Sequence, residues 1–189
     1  MGQDLSRDQS RDLPMTAYAL LGLLSFGDEL TGYELKQRAD RTLRFYWVSP
    51  AMSQVYSELE RLHDLELVRR HGTGRTTSYS LTPKGRTTLT TWMRETPVGF
   101  PVLKHPVALR LLLGALVDPE AITGMLRDHL ARLEEERTDL EKVRVSLRGV
   151  DRRGDAFRYP ALVADWGLSY FDHERTIIED LVHRIETGT

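Results

Sequence analysis

The sequence predicts a mainly α protein with a small β-hairpin: a winged helix-turn-helix followed by an antiparallel helical dimerisation domain. Three observations predict it. Thr31 to Gly85 reads as a helix, a turn, a second helix and a glycine-hinged basic hairpin, the order in which one helix can enter a DNA groove beside a cationic ribbon. Pro97, Gly99 and Pro101 then interrupt the chain and predict a boundary. Beyond it the apolar residues recur at helical spacing, with Leu126, Leu133, Leu140 and Leu147 seven apart. The expected divisions are a flexible tail over 1–14, a winged helix-turn-helix over 15–96 and a helical domain over 97–189.

Each element has a local reason. Met15 to Phe26 is almost continuously apolar, as a buried first helix requires. Thr31 with Glu34 three residues later forms a capping box, which starts a second helix at Gly32. That helix carries Tyr33, Leu35 and Ala39 and is expected to fray near Thr42 to Tyr46. Ser49 followed by Pro50 reads as an N-cap with proline at the first helical position. The third helix then runs to about Asp64, with Met52, Val55, Leu59 and Leu62 inward. Leu67 to His71 and Thr76 to Leu81 flank Gly72-Thr73-Gly74-Arg75, a hairpin signal. Thr82-Pro83 caps a fourth helix reaching about Glu95. In the second half Pro106 opens an apolar helix through Leu116, Asp118-Pro119 caps a long one to about Arg148, and a last helix spans Pro160 to about Glu186.

The composition narrows the function. The 189 residues are 29% charged and 40% hydrophobic, with a formal charge of −2, so any nucleic-acid site must be a local patch. The chain has no cysteine, which excludes disulfides, zinc-thiolate sites and cysteine nucleophiles. The start lacks the apolar core of a signal peptide, and the longest apolar stretches are too short to span a bilayer; no membrane association and a cytoplasmic location are the expectation. Between Arg61 and Arg86, Arg61, Arg69, Arg70, Arg75, Lys84 and Arg86 oppose only Asp64 and Glu66. Cations gathered this way displace counterions from a phosphate backbone. Ser49, Ser53, Gln54, Tyr56, Ser57 and Arg61 on or beside the third helix, with Arg69, Arg70, Arg75 and Lys84 around the hairpin, are the candidate DNA-binding residues.

These motifs carry a family resemblance. Leu20-Leu21-Gly22-Leu23-Leu24, Thr31-Gly32-Tyr33-Glu34-Leu35, Val55-Tyr56-Ser57-Glu58-Leu59-Glu60-Arg61-Leu62, Gly74-Arg75 and Tyr79-Ser80-Leu81-Thr82-Pro83-Lys84-Gly85 together resemble the PadR family of bacterial transcriptional regulators over about residues 15 to 95. The second half resembles, more loosely, the helical C-terminal domain of its longer members. The resemblance implies a homodimeric repressor that binds a palindromic double-stranded operator and releases it on sensing a small molecule. Two residues depart from the family pattern. Glu66 stands where glycine is usual after the third helix, so that helix must end without the residue best suited to a left-handed cap. Ser57 stands where proline is common.

The helical half offers two readings of its apolar stripes. Leu126, Leu133, Leu140 and Leu147, with Val163, Trp166, Tyr170, Ile177, Leu181 and Ile185 on the last helix, either meet a second copy or dock only within their own domain. The other seam position is mixed, with Thr123, Leu130, Arg137 and Arg144. Trp92, Phe100, Trp166, Tyr170 and Phe171 either line an aromatic effector cavity at the domain junction or are plain core. His173 between Asp172 and Glu174 is read as an interfacial histidine, and the histidine spacing predicts no metal and no cofactor. No nucleophile elbow, P-loop or dinucleotide fingerprint is present, so no enzyme is expected. A constitutive DNA binder without effector and a winged-helix module that binds protein are the alternatives.

Overall fold

The computed structural model describes residues 13–74, 77–101 and 104–188. The chain divides into two compact units, meeting at Gly99 and Phe100. In the first, α1 (Met15–Leu24), β1 (Leu30–Thr31), α2 (Gly32–Thr42), α3 (Met52–Asp64), β2 (Val68–His71), β3 (Ser78–Leu81) and α4 (Pro83–Glu95) follow in order. A 3₁₀ turn, Leu43–Phe45, extends α2 where fraying was expected. The second unit holds α5 (Pro106–Leu112), a 3₁₀ turn (Gly114–Leu116), α6 (Pro119–Ser146) and α7 (Arg158–Thr187). No helix among the described residues is long and apolar enough to cross a membrane.

The core of the first unit is built on α1, whose Ala17, Leu20, Leu21 and Leu24 are fully enclosed, against Leu35, Val55, Leu59 and Leu62. Leu13, assigned to the tail from sequence, is buried in this core. Pro14 is the N-cap of α1, its carbonyl accepting from Ala17 N–H at 2.9 Å, and the rest of the tail expectation falls on residues 1–12, outside the described residues. The capping box forms as expected: Glu34 N–H donates to the Thr31 hydroxyl, and Thr31 N–H to the Glu34 carboxylate at 2.8 Å. Thr31 also ends a strand that sequence missed. β1 pairs antiparallel with β3, so the sheet order is β1-β3-β2. Two residues are too few to show alternation.

The third helix starts differently from expectation. Its N-cap is Ala51 rather than Ser49, and Gln54 Oε1 accepts the Ala51 N–H at 3.0 Å. Ser49 is instead drawn back to α2, donating to Asp40 Oδ1 at 2.6 Å beside the Lys36–Asp40 ion pair. The helix end is the sharper finding. Leu67 N–H donates to the Leu62 carbonyl at 2.8 Å and Glu66 N–H to that of His63 at 2.9 Å, the paired bonds of a Schellman stop. That stop needs a left-handed residue, and Glu66 supplies it at φ 60°. A side chain there is strained by about 1 kcal/mol, accepted because the two bonds and the burial of Leu67 hold the turn.

Leu67 then joins three elements. Its carbonyl accepts from Thr82 N–H at 3.1 Å, while the Thr82 hydroxyl caps α4 by accepting from Gly85 N–H at 3.0 Å. A Cβ on Gly85 would lie 2.1 Å from the Leu67 oxygen, so only glycine permits this approach.

The second unit is a long antiparallel hairpin of α6 and α7. Asp118 caps α6 by accepting from Ala121 N–H at 2.8 Å. Leu126, Leu133 and Leu140 are buried within the single chain and Leu147 is half-buried, so the heptad lines an intrachain seam rather than a surface left for a partner. The mixed positions also face α7: Arg137 Nε meets Asp172 at 2.7 Å and Arg144 Nε meets Asp165 at 2.6 Å. On α7 the buried residues are Ala161, Ala164, Gly167, Ile178 and Val182. The expected inward stripe is turned outward at Val163, Trp166, Tyr170 and Ile177, while Leu181 and Ile185 are half-buried. The reason is steric: small side chains let two helices approach closely, and the bulky ones one residue away rotate off the seam.

Gly85→Ala is expected to destabilise the protein by about 3 kcal/mol, because backbone must move to relieve the overlap, whereas Glu66→Gly should stabilise it by about 1 kcal/mol; urea unfolding of both variants checks the opposite signs. In the first unit two carboxylates are held below their ordinary values, Glu34 by the Thr31 backbone N–H and hydroxyl, and Asp40 by Lys36 and then Ser49. Their contribution is complete above the ordinary carboxylate range and is lost as pH falls through the depressed folded values. Asp40→Asn should therefore lower Tm at neutral pH and lessen the further drop below about pH 4, as read by melting curves across pH.

Candidate nucleic-acid interface

One face of α3 is left to solvent. Val55, Leu59 and Leu62 point into the core, so Ser53, Gln54, Tyr56 and Ser57 are exposed on the other side. Their hydrogen-bonding is partly committed: Gln54 Oε1 holds the helix start, and the Ser57 hydroxyl donates to the Gln54 carbonyl at 3.1 Å. Tyr56 is 46% exposed, and its ring lies over Gly32, where a Cβ would be 2.5 Å from Cε1. The lack of a side chain at Gly32 thus seats Tyr56 against the start of α2.

Next to Gly32, Tyr33 is 57% exposed, its hydroxyl accepting from Gln37 Nε2 at 3.0 Å. Sequence reading grouped it with Leu35 and Ala39, but two residues along a helix turn the side chain about 200°, away from the core. Tyr33 is a candidate the sequence reading missed. The spacing to Leu35 was the signal that could have found it.

The ribbon carries its cations on both faces. Arg69 lies opposite Ser80 and Arg70 opposite Tyr79 in the β2–β3 register, and successive strand residues leave opposite faces. Both are exposed. His71 Nε2 and the Ser80 hydroxyl, 2.8 Å apart, tie the strands together. Arg75, expected at the hairpin tip, lies outside the described residues.

Two of the expected cations have acidic neighbours. Lys84 Nζ is 3.1 Å from Glu66 Oε2, and Arg61 is 3.5 Å from the half-buried Glu58. Ser49 is half-buried and bonded to Asp40, so it supports the turn before α3 rather than standing on the exposed face. Of the described candidate cations, Arg69 and Arg70 on β2 are the two without such a neighbour.

The aromatic cluster expected for an effector is not gathered within either unit. Trp92 belongs to the first core, stacked on Tyr18 with centroids 4.5 Å apart and planes 12° from parallel. Phe100 and Trp166 are exposed, and Phe171 meets Tyr170 edge-on at 6.1 Å. His173 is exposed in the single chain, while its neighbours Asp172 and Glu174 turn inward to partners on other elements. Glu174 meets His105 and His129, a grouping that no sequence spacing revealed.

In fold, this winged helix followed by a long antiparallel helical hairpin is similar to solved PadR-like transcriptional regulators. The comparisons agree on fold. The PadR-like transcriptional regulator BC1756 from Bacillus cereus superposes with a TM-score of 0.76 at 21% identity, covering 92% of this chain and 99% of its own. PadR from Bacillus subtilis, solved in complex with operator DNA, gives 0.77 at 22%, over 91% and 99%. The virulence activator AphA from Vibrio cholerae gives 0.70 at 17%, over 92% and 99%. Residues 103–180 match the family described as virulence activator alpha C-term. No curated protein sequence matches the chain.

Proposed function

We propose that this chain is a sequence-specific DNA-binding transcriptional regulator acting as a homodimeric repressor. The observation that carries the reading is the exposure of the polar α3 face in the same small unit as a cationic β-ribbon. In the proposed complex α3 enters the major groove, where Ser53, Gln54, Tyr56 and Ser57 meet base edges or phosphates. Arg69, Arg70 and Arg75 grip the flanking backbone, with Arg61 and Lys84 contributing less because their acidic neighbours offset them. The operator complex of Bacillus subtilis PadR supports the DNA partner.

One α3 reads a half-site, so the proposal includes a second copy. The surface for it is the apolar face of α7 that the α6–α7 seam leaves uncovered: Tyr159, Leu162, Val163, Trp166, Tyr170 and Ile177. Contiguous apolar surface of this kind is characteristic of an interface. Two-fold pairing would set two α3 helices on an inverted repeat with half-sites about one helical turn or more apart.

Release by a small aromatic ligand is the finer part of the proposal, supported by the complex of Bacillus subtilis PadR with p-coumaric acid. Such a ligand relieves repression only by binding the free and DNA-bound forms unequally.

Replacing Arg69, Arg70 and Arg75 together with alanine should weaken operator binding and lower the salt-dependence slope by about three per protomer; unchanged affinity in fluorescence anisotropy across salt would remove the ribbon from the interface. Trp166→Asp should convert a dimer to a monomer in light scattering and weaken operator binding, with helicity retained. A parent protein that is itself monomeric would end the dimer proposal.

A further inference from the structure

We infer that His105, His129 and Glu174 form a binding site for one divalent transition-metal ion of the zinc type. The three come from separate elements of the second unit: His105 caps α5, His129 lies on α6 and Glu174 on α7. Glu174 Oε1 is 2.8 Å from His105 Nε2 and 3.4 Å from His129 Nε2, and the three ligand atoms all lie within 4.8 Å of one another. The imidazoles stand edge to face, 78° apart with centroids at 5.5 Å, so their nitrogens converge rather than stack. Donor atoms around a tetrahedral zinc at its usual bond lengths are separated by about 3.3 Å. The observed set runs from 2.8 Å to at most 4.8 Å, so closing on an ion takes side-chain adjustment of about 0.5 Å at the shortest pair and up to about 1.5 Å at the widest.

The chemistry of the set is equally specific. Two imidazole nitrogens and one carboxylate oxygen suit zinc, and by the general affinity order also nickel and copper, over magnesium or calcium, which prefer oxygen ligands. The side chains are 13 to 21% exposed, sheltered enough to be held and open enough for an ion to enter. Three protein ligands leave a fourth position for solvent.

The second nitrogen of His105 makes binding visible. Nδ1 accepts the Ala108 N–H at 3.2 Å, so the neutral ring carries its proton on Nε2 and donates it to Glu174. An ion taken up at Nε2 requires that proton to leave, and the neutral ring then carries its proton on Nδ1. Nδ1 becomes a donor facing the Ala108 N–H, and the α5 cap opens. Metal uptake is thereby coupled to the start of α5. The inference concerns ion binding alone and does not rest on the DNA-binding reading.

The test uses untagged full-length protein, titrated with zinc by calorimetry and with cobalt(II) by visible absorption, alongside His129→Gln, Glu174→Gln and His173→Ala. The expected result is one ion per chain, with affinity reduced more than about 100-fold in the first two variants, beyond the usual effect of an outer-shell change. His173→Ala, an exposed neighbour, should bind like the parent. The Ala108 amide resonance should shift on zinc addition to the parent. Circular dichroism establishes that the variants are folded. Glu174→Gln still accepts from His105, so a fold defect in His129→Gln alone leaves the test intact. Absence of zinc binding at about 0.1 mM, weak against the affinities of built zinc sites, would overturn the inference. So would binding that persists in both ligand variants, or that His173→Ala abolishes.

Discussion

The carbonyl of Leu67 is the constraint on which the DNA-facing unit depends. It stands directly after the left-handed turn at Glu66 that stops α3. It accepts from Thr82 where α4 begins, and it touches Gly85 too closely for any side chain. The end of the groove-facing helix, the root of the ribbon and the start of the next helix are thus locked at one backbone position. Hydrogen bonds to a buried carbonyl tolerate little displacement, so the ribbon leaves the unit at a set angle to α3. A basic hairpin on a looser hinge would offer its charge in many directions, with a correspondingly larger entropy loss on binding.

The helical unit solves a different problem. A long helix pair with Leu126, Leu133 and Leu140 already buried has no need of its largest aromatics for its own core. Close approach through Ala161, Ala164 and Gly167 assigns the seam to small residues and leaves Trp166 and Tyr170 outside. Ion pairs from Arg137 and Arg144 to Asp172 and Asp165 fix which residues of the two helices lie opposite each other. The hydrogen bonds to these aspartates raise the arginines above their ordinary values and, in the case of Asp172, lower the partner. Exposed pairs of this sort add little stability. They do discriminate against a slipped register, which would set like charges together.

Much of the site was legible because its signals are local. Thr31 and Glu34 cap a helix wherever they occur in that spacing, Thr82-Pro83 starts one, and the run from Arg69 to Arg75 is basic without reference to any fold. The three-and-four spacing of Val55, Leu59 and Leu62 identified the exposed face of α3 by elimination. Errors arose where a residue's fate depended on a distant partner. Ser49 was assigned to the α3 cap, but Asp40 on another helix claims its hydroxyl. Lys84 counted as a free cation until Glu66 was brought beside it.

By itself, then, the amino-acid sequence determined the main helices and the β2–β3 hairpin, the caps at Thr31, Thr82 and Asp118, the winged-helix order and the location of the positive charge, since each follows from torsional preference and spacing over a few residues. Tertiary structure alone decided that β1 completes the sheet, that Glu66 takes a left-handed conformation, which stripe of α7 faces inward, and that His105, His129 and Glu174 converge. Each of those outcomes is a contest between separated segments for the same volume or hydrogen-bonding group. Its result depends on shapes and distances that exist only once the segments are packed.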